Sequence, residues 1–406
     1  MRIHDLKLEN IGPFRNSSIQ FISDDDNIEF PPVVVITGEN GTGKSIILDA
    51  IRTIYMGAFS TVEREINSDK TFKISARITI NKNKTINILS DKKTDSNQFS
   101  NNAMEISKLF HAQFEPAYKR DFIFDYWTSK LSNDKFSISN IEILKPKGYL
   151  DDALKGIHKN IDVTRTISFF DYLKDSKDIK EKEIGEVLFN LLEEIVNSSI
   201  SNGHLSHVSR INLSPLVNVQ GKDISLDKLS SGNLYLIQRY VSLLRQVYSI
   251  CINNDFPISE YKNIEGILLI DEAENHLHPK WQKVFVSNIL RFFPRIQIIV
   301  TTHSPFIVSS VENSRVYVCN DKIDHSEITE ETDFYINSPI EDILRSPLFN
   351  TSSFNEDISK LIDERKKAIN DNNSDEIQRI EVKLLELNPE YFNYLNLDKI
   401  LKGLKK

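Results

Sequence analysis

Gly38-Glu39-Asn40-Gly41-Thr42-Gly43-Lys44-Ser45 has the residue types and spacing of a phosphate-binding loop. Gly38, Gly41 and Gly43 lack side chains, so the backbone there can wrap an anion with consecutive N–H groups, those of Asn40 and Thr42 among them. Lys44 would set one positive charge against the outer phosphates of a nucleotide, and the Ser45 hydroxyl is an oxygen ligand for Mg²⁺. Two carboxylates, Asp271 and Glu272, end the apolar run Ile267-Leu268-Leu269-Ile270, at the kind of strand edge where α/β sheets bind ligands. Asp271 would hold Mg²⁺ through water. Glu272 would polarise an attacking water, which calls for a carboxylate beside the phosphate and off the metal. On its own an acidic pair at a strand end is more often solvated surface or a helix start; a phosphate loop in the same chain reverses that weighting.

Two further strings fall between and after these. Leu229-Ser230-Ser231-Gly232-Asn233 opens a long helical pattern, where Ser230, Ser231 and Gly232 could grip an anion with hydroxyls and free N–H groups. Ser-Ser-Gly is also an ordinary helix cap. Thr301-Thr302-His303-Ser304-Pro305 follows another apolar run and brings an imidazole.

The elements around these residues are those the chemistry needs. Val33-Val34-Val35-Ile36 reads as a buried strand, and Ile46, Ile47, Ala50, Ile51 and Ile54 keep helical spacing, so residues 33–55 form strand, glycine-rich turn and helix. Alternation in 5–9 and 18–21 predicts paired strands about the Gly12-Pro13 turn. Strict alternation from Phe72 to Ile80 predicts a strand, Ile86 and Ile88 its hairpin partner, and the polar stretch 90–102 a loop. Residues 104–200 read as mostly helical, with Ile184, Val187, Leu188, Leu191 and Ile195 on one face. Strands return at 216–219, 266–270 and 296–300, with helices over about 232–251 and from Pro279, a pattern that favours an α/β sheet. Ile358, Leu361, Ile362 and Ile369, then Ile377, Ile380, Leu384 and Leu387 ending before Pro389, predict a C-terminal helical hairpin.

Composition narrows the function class. No apolar run approaches the ~18 residues of a membrane span, and the first residues lack the continuous apolar stretch of a signal peptide, so a cytoplasmic protein without a membrane partner is expected. With 50 basic and 58 acidic residues the net charge is −8, so the whole molecule does not attract nucleic acid, although a local basic face is allowed. Lys119, Arg120, Lys145, Lys147, Lys402, Lys405 and Lys406 are scattered and read as solvated surface. Cys251 and Cys319 sit among apolar residues, which argues against a disulfide framework or a thiolate zinc site. Glu274, His276 and His278 beside Asp271 and Glu272 invite a separate metal centre, but their spacing at a loop-to-helix junction has a simpler reading.

Phosphate loop, Leu-Ser-Ser-Gly, Asp-Glu and Thr-His-Ser-Pro, in that order, resemble an ABC-type ATPase head of the RecF/SMC/OLD group. The string from Asp271 to Pro279, with Thr302 to Pro305, is especially similar to OLD-type ATPases and to the PtuA subunit of Septu anti-phage systems. The resemblance covers about 1–60 and 205–310. It implies an α/β head made of a P-loop sheet and an antiparallel β subdomain, carrying a mostly helical insertion and a C-terminal helical hairpin. The expected divisions are 1–66 and 205–345 for the two parts of the head, 67–204 for the hairpin and insertion, and 346–406 for the terminal hairpin.

The resemblance further implies ATP and Mg²⁺ as ligands, with Lys44, Glu272 and His303 catalytic and Ser45 and Asp271 on the metal. Ser230, Ser231 and Gly232 would belong to a signature that touches the partner subunit's ATP, residues 275–279 to a D-loop at the dimer interface, and His303 would sense the γ-phosphate. Gln113 is the candidate for a glutamine coupling Mg²⁺ to the insertion. The expected assembly is a homodimer closed over two ATP molecules, within a higher oligomer, acting on a separately encoded nuclease of the His-Asn-His (HNH) type. The alternatives are a RecF-like ATPase clamping duplex DNA and a stand-alone OLD-like nuclease. Asn233 stands where Glu or Gln is usual, which bears on hydrolysis rate, and the tail lacks the Asp-x-Asp pair of a TOPRIM nuclease.

Overall fold

The structure, a computed structural model, describes residues 1–27, 29–56, 72–80, 84–93, 96–99, 106–110, 119–128, 138, 140–141, 143–144, 163–336, 338–349 and 354–395, and for 84–93 and 96–99 the backbone alone. Backbone contacts divide the chain into two compact units, Met1–Ser338 and Pro339–Lys406. Among the described residues no helix is long and apolar enough to cross a membrane.

The first unit begins with β1 (Arg2–Ile11) and β2 (Phe14–Gln20), antiparallel about the Gly12-Pro13 turn. Then β3 (Val33–Gly38), buried at every residue, runs through the phosphate loop into α1 (Lys44–Met56). β4 (Lys73–Ile80) buries Ile74, Ala76 and Ile78 and keeps the intervening side chains partly exposed, as its alternation requires. β5 (Lys84–Lys93) and β6 (Ser96–Phe99) continue the sheet, in the order β2-β1-β4-β5-β6. The loop expected over 90–102 is thus partly strand. Ser90 to Lys93 pair with Ser96 to Phe99, and backbone pairing at a sheet edge needs no apolar run to announce it.

Within the stretch read as helical lies a strand, β7 (Ile123–Trp127), buried throughout. Its side chains alternate: Phe124 and Tyr126 join the core around α1, whereas Trp127 packs its ring against Tyr240 and Phe285 on the other side. Asp125 accepts hydrogen bonds from Ser242 Oγ at 2.7 Å and from the Tyr126 N–H at 2.9 Å. Burial pushes its carboxyl up to about 6. Helices then appear as expected: α2 (Val163–Lys174) and α3 (Ile179–Ser199), the latter capped by Asp178, which accepts from the N–H groups of Lys180 and Glu181. Ile184, Leu188, Leu191 and Ile195 are buried on α3, with Val187 at the margin.

β8 (Gly203–Ser209), β9 (Ser214–Val219) and β10 (Lys222–Ser225) make a small antiparallel sheet. α4 (Ser231–Asn254) follows, buried continuously from Tyr235 to Cys251. Among the elements that follow are β11 (Gly266–Ile270), α5 (Phe285–Phe292), β12 (Ile296–Thr301), β13 (Ser314–Asp321) and β14 (Ser326–Glu330), and the helix expected from Pro279 comes in two pieces, Pro279–Gln282 and α5. They complete a sheet of order β14-β13-β3-β12-β11-β7, parallel except for β14. The α/β class, a P-loop sheet with an antiparallel β subdomain, is therefore the fold observed.

In the second unit, α6 (Glu356–Asn370) and α7 (Ser374–Leu387) form the expected hairpin, capped by Asn355 and Asn373. Ala368, Ile380, Leu384, Phe392 and Leu395 make its core, and Arg365 donates to Glu381 from Nη2 at 2.8 Å and from Nε at 3.1 Å.

Candidate nucleotide site

Because β3, β12, β11 and β7 are parallel neighbours, their carboxyl ends open on one edge of the sheet, the edge at which such sheets bind ligands. Gly38 leaves β3, Thr302 and His303 leave β12, and Asp271 and Glu272 leave β11. Residues separated by more than two hundred positions in sequence meet there.

The phosphate loop has the backbone its glycines permit: φ is +149° at Gly38, +84° at Gly41 and +96° at Gly43. A Cβ at Gly43 would lie 2.7 Å from both Pro13 and Phe14, so the first hairpin presses on the loop and excludes a larger residue. Lys44 Nζ donates to the carbonyl oxygens of Gly38 at 3.0 Å and Glu39 at 2.7 Å, and Thr42 Oγ1 donates to Glu39 O at 2.8 Å. Burial draws the Lys44 ammonium below the ordinary lysine value, opposed by the negative groups around it, among them Glu274, Asp271 and Glu272. Ser45 Oγ donates to Asp271 Oδ1 at 2.7 Å. Thr301 Oγ1 donates to the same oxygen at 2.7 Å. The oxygens of Ser45 and Asp271 make a donor set suited to a hard divalent cation.

Glu272 adopts φ +52° and His276 φ +65°, the left-handed region that costs a non-glycine residue about 1–3 kcal/mol and often marks functional segments. Thr301 holds this bend, since its Oγ1 accepts from the Glu272 N–H at 2.9 Å, and Asn275 Nδ2 donates to Glu272 Oε2 at 2.7 Å. His303 is half-buried. Burial, reinforced by Lys44, lowers its pKa against the pull of Glu274, Glu272 and Asp271, so the ring is neutral at pH 7.

Ser230 and Ser231 are exposed at the start of α4. Ser230 Oγ accepts from the Asn233 N–H at 3.3 Å, the bond of an ordinary cap. Gly232 has a further constraint that a cap does not need: a Cβ there would collide with the carbonyl oxygen of His276. The rings of Tyr235 and His276 also lie 5.7 Å apart. The 229–233 and 275–279 strings therefore pack together within one chain.

Gln113 lies outside the described residues. β11 is flanked on one side by β12 and on the other by β7, which ends in Tyr126-Trp127, and Tyr126 Oη reaches Asp271 Oδ2 at 3.5 Å while its ring carries the Arg52 guanidinium 4.2 Å above it. Sequence reasoning passed over Tyr126 and Thr301 as site residues, placed Asn275 only in the D-loop string, and set Glu274 aside with the acidic and histidine-rich cluster. For Thr301 and Glu274 a signal existed, because polar groups directly beside an Asp-Glu pair and a buried strand end need partners.

Relatives bear out the likeness to Septu PtuA and add retron ATPases to it. The Retron Vc95 "probable ATPase" of Vibrio cholerae serotype O1 biovar El Tor is 25% identical over 397 residues, covering 79% of this chain and 74% of that protein. The Septu protein PtuA of Bacillus mycoides (strain KBAB4) is 23% identical over 391 residues, 95% of this chain and 50% of that one. The chain thus spans half the length of the Bacillus protein and about three quarters of the Vibrio one. Among solved structures, an SMC head bound to the C-winged helix domain of ScpA matches 81% of this chain and 98% of its own, at 16% identity and a TM-score of 0.49. The model of one ATPase family matches residues 33–309, more than half of the 406 residues, a range that includes the phosphate loop, Leu229 to Asn233, Asp271-Glu272 and Thr301 to Pro305. The chain belongs to that family, described as "AAA domain, putative AbiEii toxin, Type IV TA system".

Proposed function

We propose that the chain binds ATP with Mg²⁺ at this sheet edge and hydrolyses it between two copies of itself, as the switch subunit of a cytoplasmic anti-phage defence complex. The observation that carries the reading is the meeting of Ser45 and Asp271 across the sheet at 2.7 Å, beside a phosphate loop and a second carboxylate, Glu272, held by Asn275. Ser45 and Asp271 would hold the cation, which when bound neutralises phosphate charge. The N–H groups from Gly38 to Ser45 and the Lys44 ammonium hold the phosphates. Glu272 takes the proton of a water as its oxygen bonds to the γ-phosphorus; the bond from that phosphorus to the bridging oxygen breaks, and ADP and phosphate leave. His303 presents its ring to the γ-phosphate.

Ser230, Ser231 and Gly232 of one copy complete the site of the other. The exposure of Ser230 and Ser231 supports this, as does the close approach of Gly232 to His276, which ties them to the loop leading away from Glu272. In this division of labour 1–66 and 205–345 form the head, 67–204 the insertion that ATP-driven closure moves, and 346–406 an arm for a separate nuclease subunit, the HNH type favoured. The defence role and the partner rest on the likeness to a Septu protein and a retron ATPase.

Two outcomes test the shared site and the division from the nuclease. A Ser231→Arg chain and a Lys44→Ala chain should each be nearly inactive alone. Mixed in equal amounts they should recover roughly a quarter of wild-type turnover, since half of randomly paired dimers carry one intact site of two. Full turnover by Ser231→Arg alone would reduce 229–233 to a helix cap. The purified chain should leave supercoiled plasmid uncut with ATP and either Mg²⁺ or Mn²⁺, because Asp271 is committed to the nucleotide's cation; robust nicking, lost on changing a carboxylate elsewhere, would reject the regulatory-subunit reading.

A further inference from the structure

We propose that Glu274 is a positioning residue for His303, fixing the backbone from which the imidazole reaches the γ-phosphate. Its two carboxylate oxygens are used separately: Oε1 accepts the His303 N–H at 2.9 Å and Oε2 accepts the Thr302 hydroxyl at 2.6 Å. Thr302 is fully buried, and its hydroxyl oxygen accepts in turn from the Ser304 N–H at 2.9 Å. A second side chain reinforces the connection. Gln282 Nε2 donates to the carbonyl of Leu277 at 2.8 Å and to that of Glu274 at 3.4 Å, while its Oε1 accepts from Ser304 Oγ at 2.6 Å. The segment after Glu272 and the segment after β12 are thereby laced together on both sides of His303, and Thr302 is anchored to β3 by its N–H to Ile36 O at 3.1 Å.

The chemistry favours a carboxylate here. It offers acceptors only, and the two groups facing it are donors. Glu274 lies between Glu272 and His276, the two residues of left-handed backbone, so movement of that bend is transmitted to His303 through one charge-assisted bond to its own N–H and a second to the hydroxyl of Thr302 before it. Both carboxylate oxygens of Glu274 are turned to the segment after β12, on Thr302 and His303, whereas Ser45 and Asp271 would hold the cation. The effect of Glu274 should accordingly fall on turnover and spare nucleotide affinity.

This assignment rests on the ATPase reading, and its test keeps the two apart. Removing both acceptors in Glu274→Ala should lower kcat about 10- to 100-fold while the affinity for ATP, measured on a Glu272→Gln background, stays within about threefold of that background. Glu274→Gln keeps one acceptor for His303 N–H and turns its amide toward a hydroxyl that can accept, so it should restore kcat to within roughly fivefold of wild type. Thr302→Val, which deletes one of the two bonds, should lose less than Glu274→Ala, and the two changes together should cost less than the product of their separate effects. Wild-type kcat in Glu274→Ala, or a loss of ATP affinity equal to the loss of kcat, overturns the assignment. If Glu274→Ala does not fold, wild-type kcat in Thr302→Val overturns it instead. A wild-type chain without turnover refutes the ATPase reading and this assignment with it, whereas turnover that is indifferent to Glu274 refutes the assignment alone.

Discussion

Lys44→Ala should weaken ATP binding by about 10- to 100-fold, the range expected when a charge-assisted hydrogen bond worth ~1.5–3 kcal/mol is lost. The structure gives the reason. Lys44 Nζ lies on the carbonyls of Gly38 and Glu39, and it is largely buried, with Glu274, Asp271 and Glu272 among the negative groups that act on it. An ammonium held below its ordinary pKa by burial gains most from an anion that replaces the missing solvent. Alanine removes the charge and leaves two loop carbonyls without their donor, so both affinity and loop conformation suffer. Fluorescent-nucleotide titration reads the first effect directly. Unchanged affinity would detach Lys44 from the phosphates.

Glu272→Gln is expected to act in the opposite sense: ATP affinity kept, turnover reduced by about 10²- to 10⁴-fold, as when a general base is removed. Glutamine preserves the size of the side chain and an oxygen for Asn275 Nδ2, which donates to Glu272 Oε2 at 2.7 Å. The backbone bond from Glu272 N–H to Thr301 Oγ1 is untouched. Only the capacity to take a proton is lost, so the variant should hold ATP in the closed dimer. Single-turnover phosphate release separates this from a binding defect, and near-normal release would remove Glu272 from its role.

The contrast between these residues and the ones missed shows which kinds of information a sequence carries. Gly38 to Ser45 were legible because strand, turn and helix are contiguous, so pattern and chemistry coincide in one short string. Asp271 and Glu272 were legible from the apolar strand before them. That Ser45 and Asp271 share a bond was not, because it depends on β3, β12 and β11 being neighbours in one parallel sheet, and strand order is set by long-range packing that leaves no local period. β7 escaped for a different reason. Its Asp125 breaks an otherwise apolar and aromatic run, and the compensation, Ser242, lies more than a hundred residues away on α4. β8, β10 and β14 were unmarked because half or more of their side chains are polar, whereas β13 had a signal that was passed over: Val316-Tyr317-Val318-Cys319 is an apolar run of the kind that marked β3. Glu274 was read only as one member of an acidic and histidine-rich string. Its partners Thr302 and His303 were visible in sequence, but the bonds between them were not.

Sedimentation velocity of Glu272→Gln with and without ATP and Mg²⁺ tests most directly whether ATP closes two copies over shared sites. The account predicts that ATP doubles the sedimenting mass, or doubles the number of units in a larger assembly, and that Ser231→Arg introduced into the same chain abolishes the shift while ATP still binds. The contradicting result is a protein that binds ATP with unchanged affinity and hydrolyses it in the wild-type form, yet sediments identically with and without nucleotide.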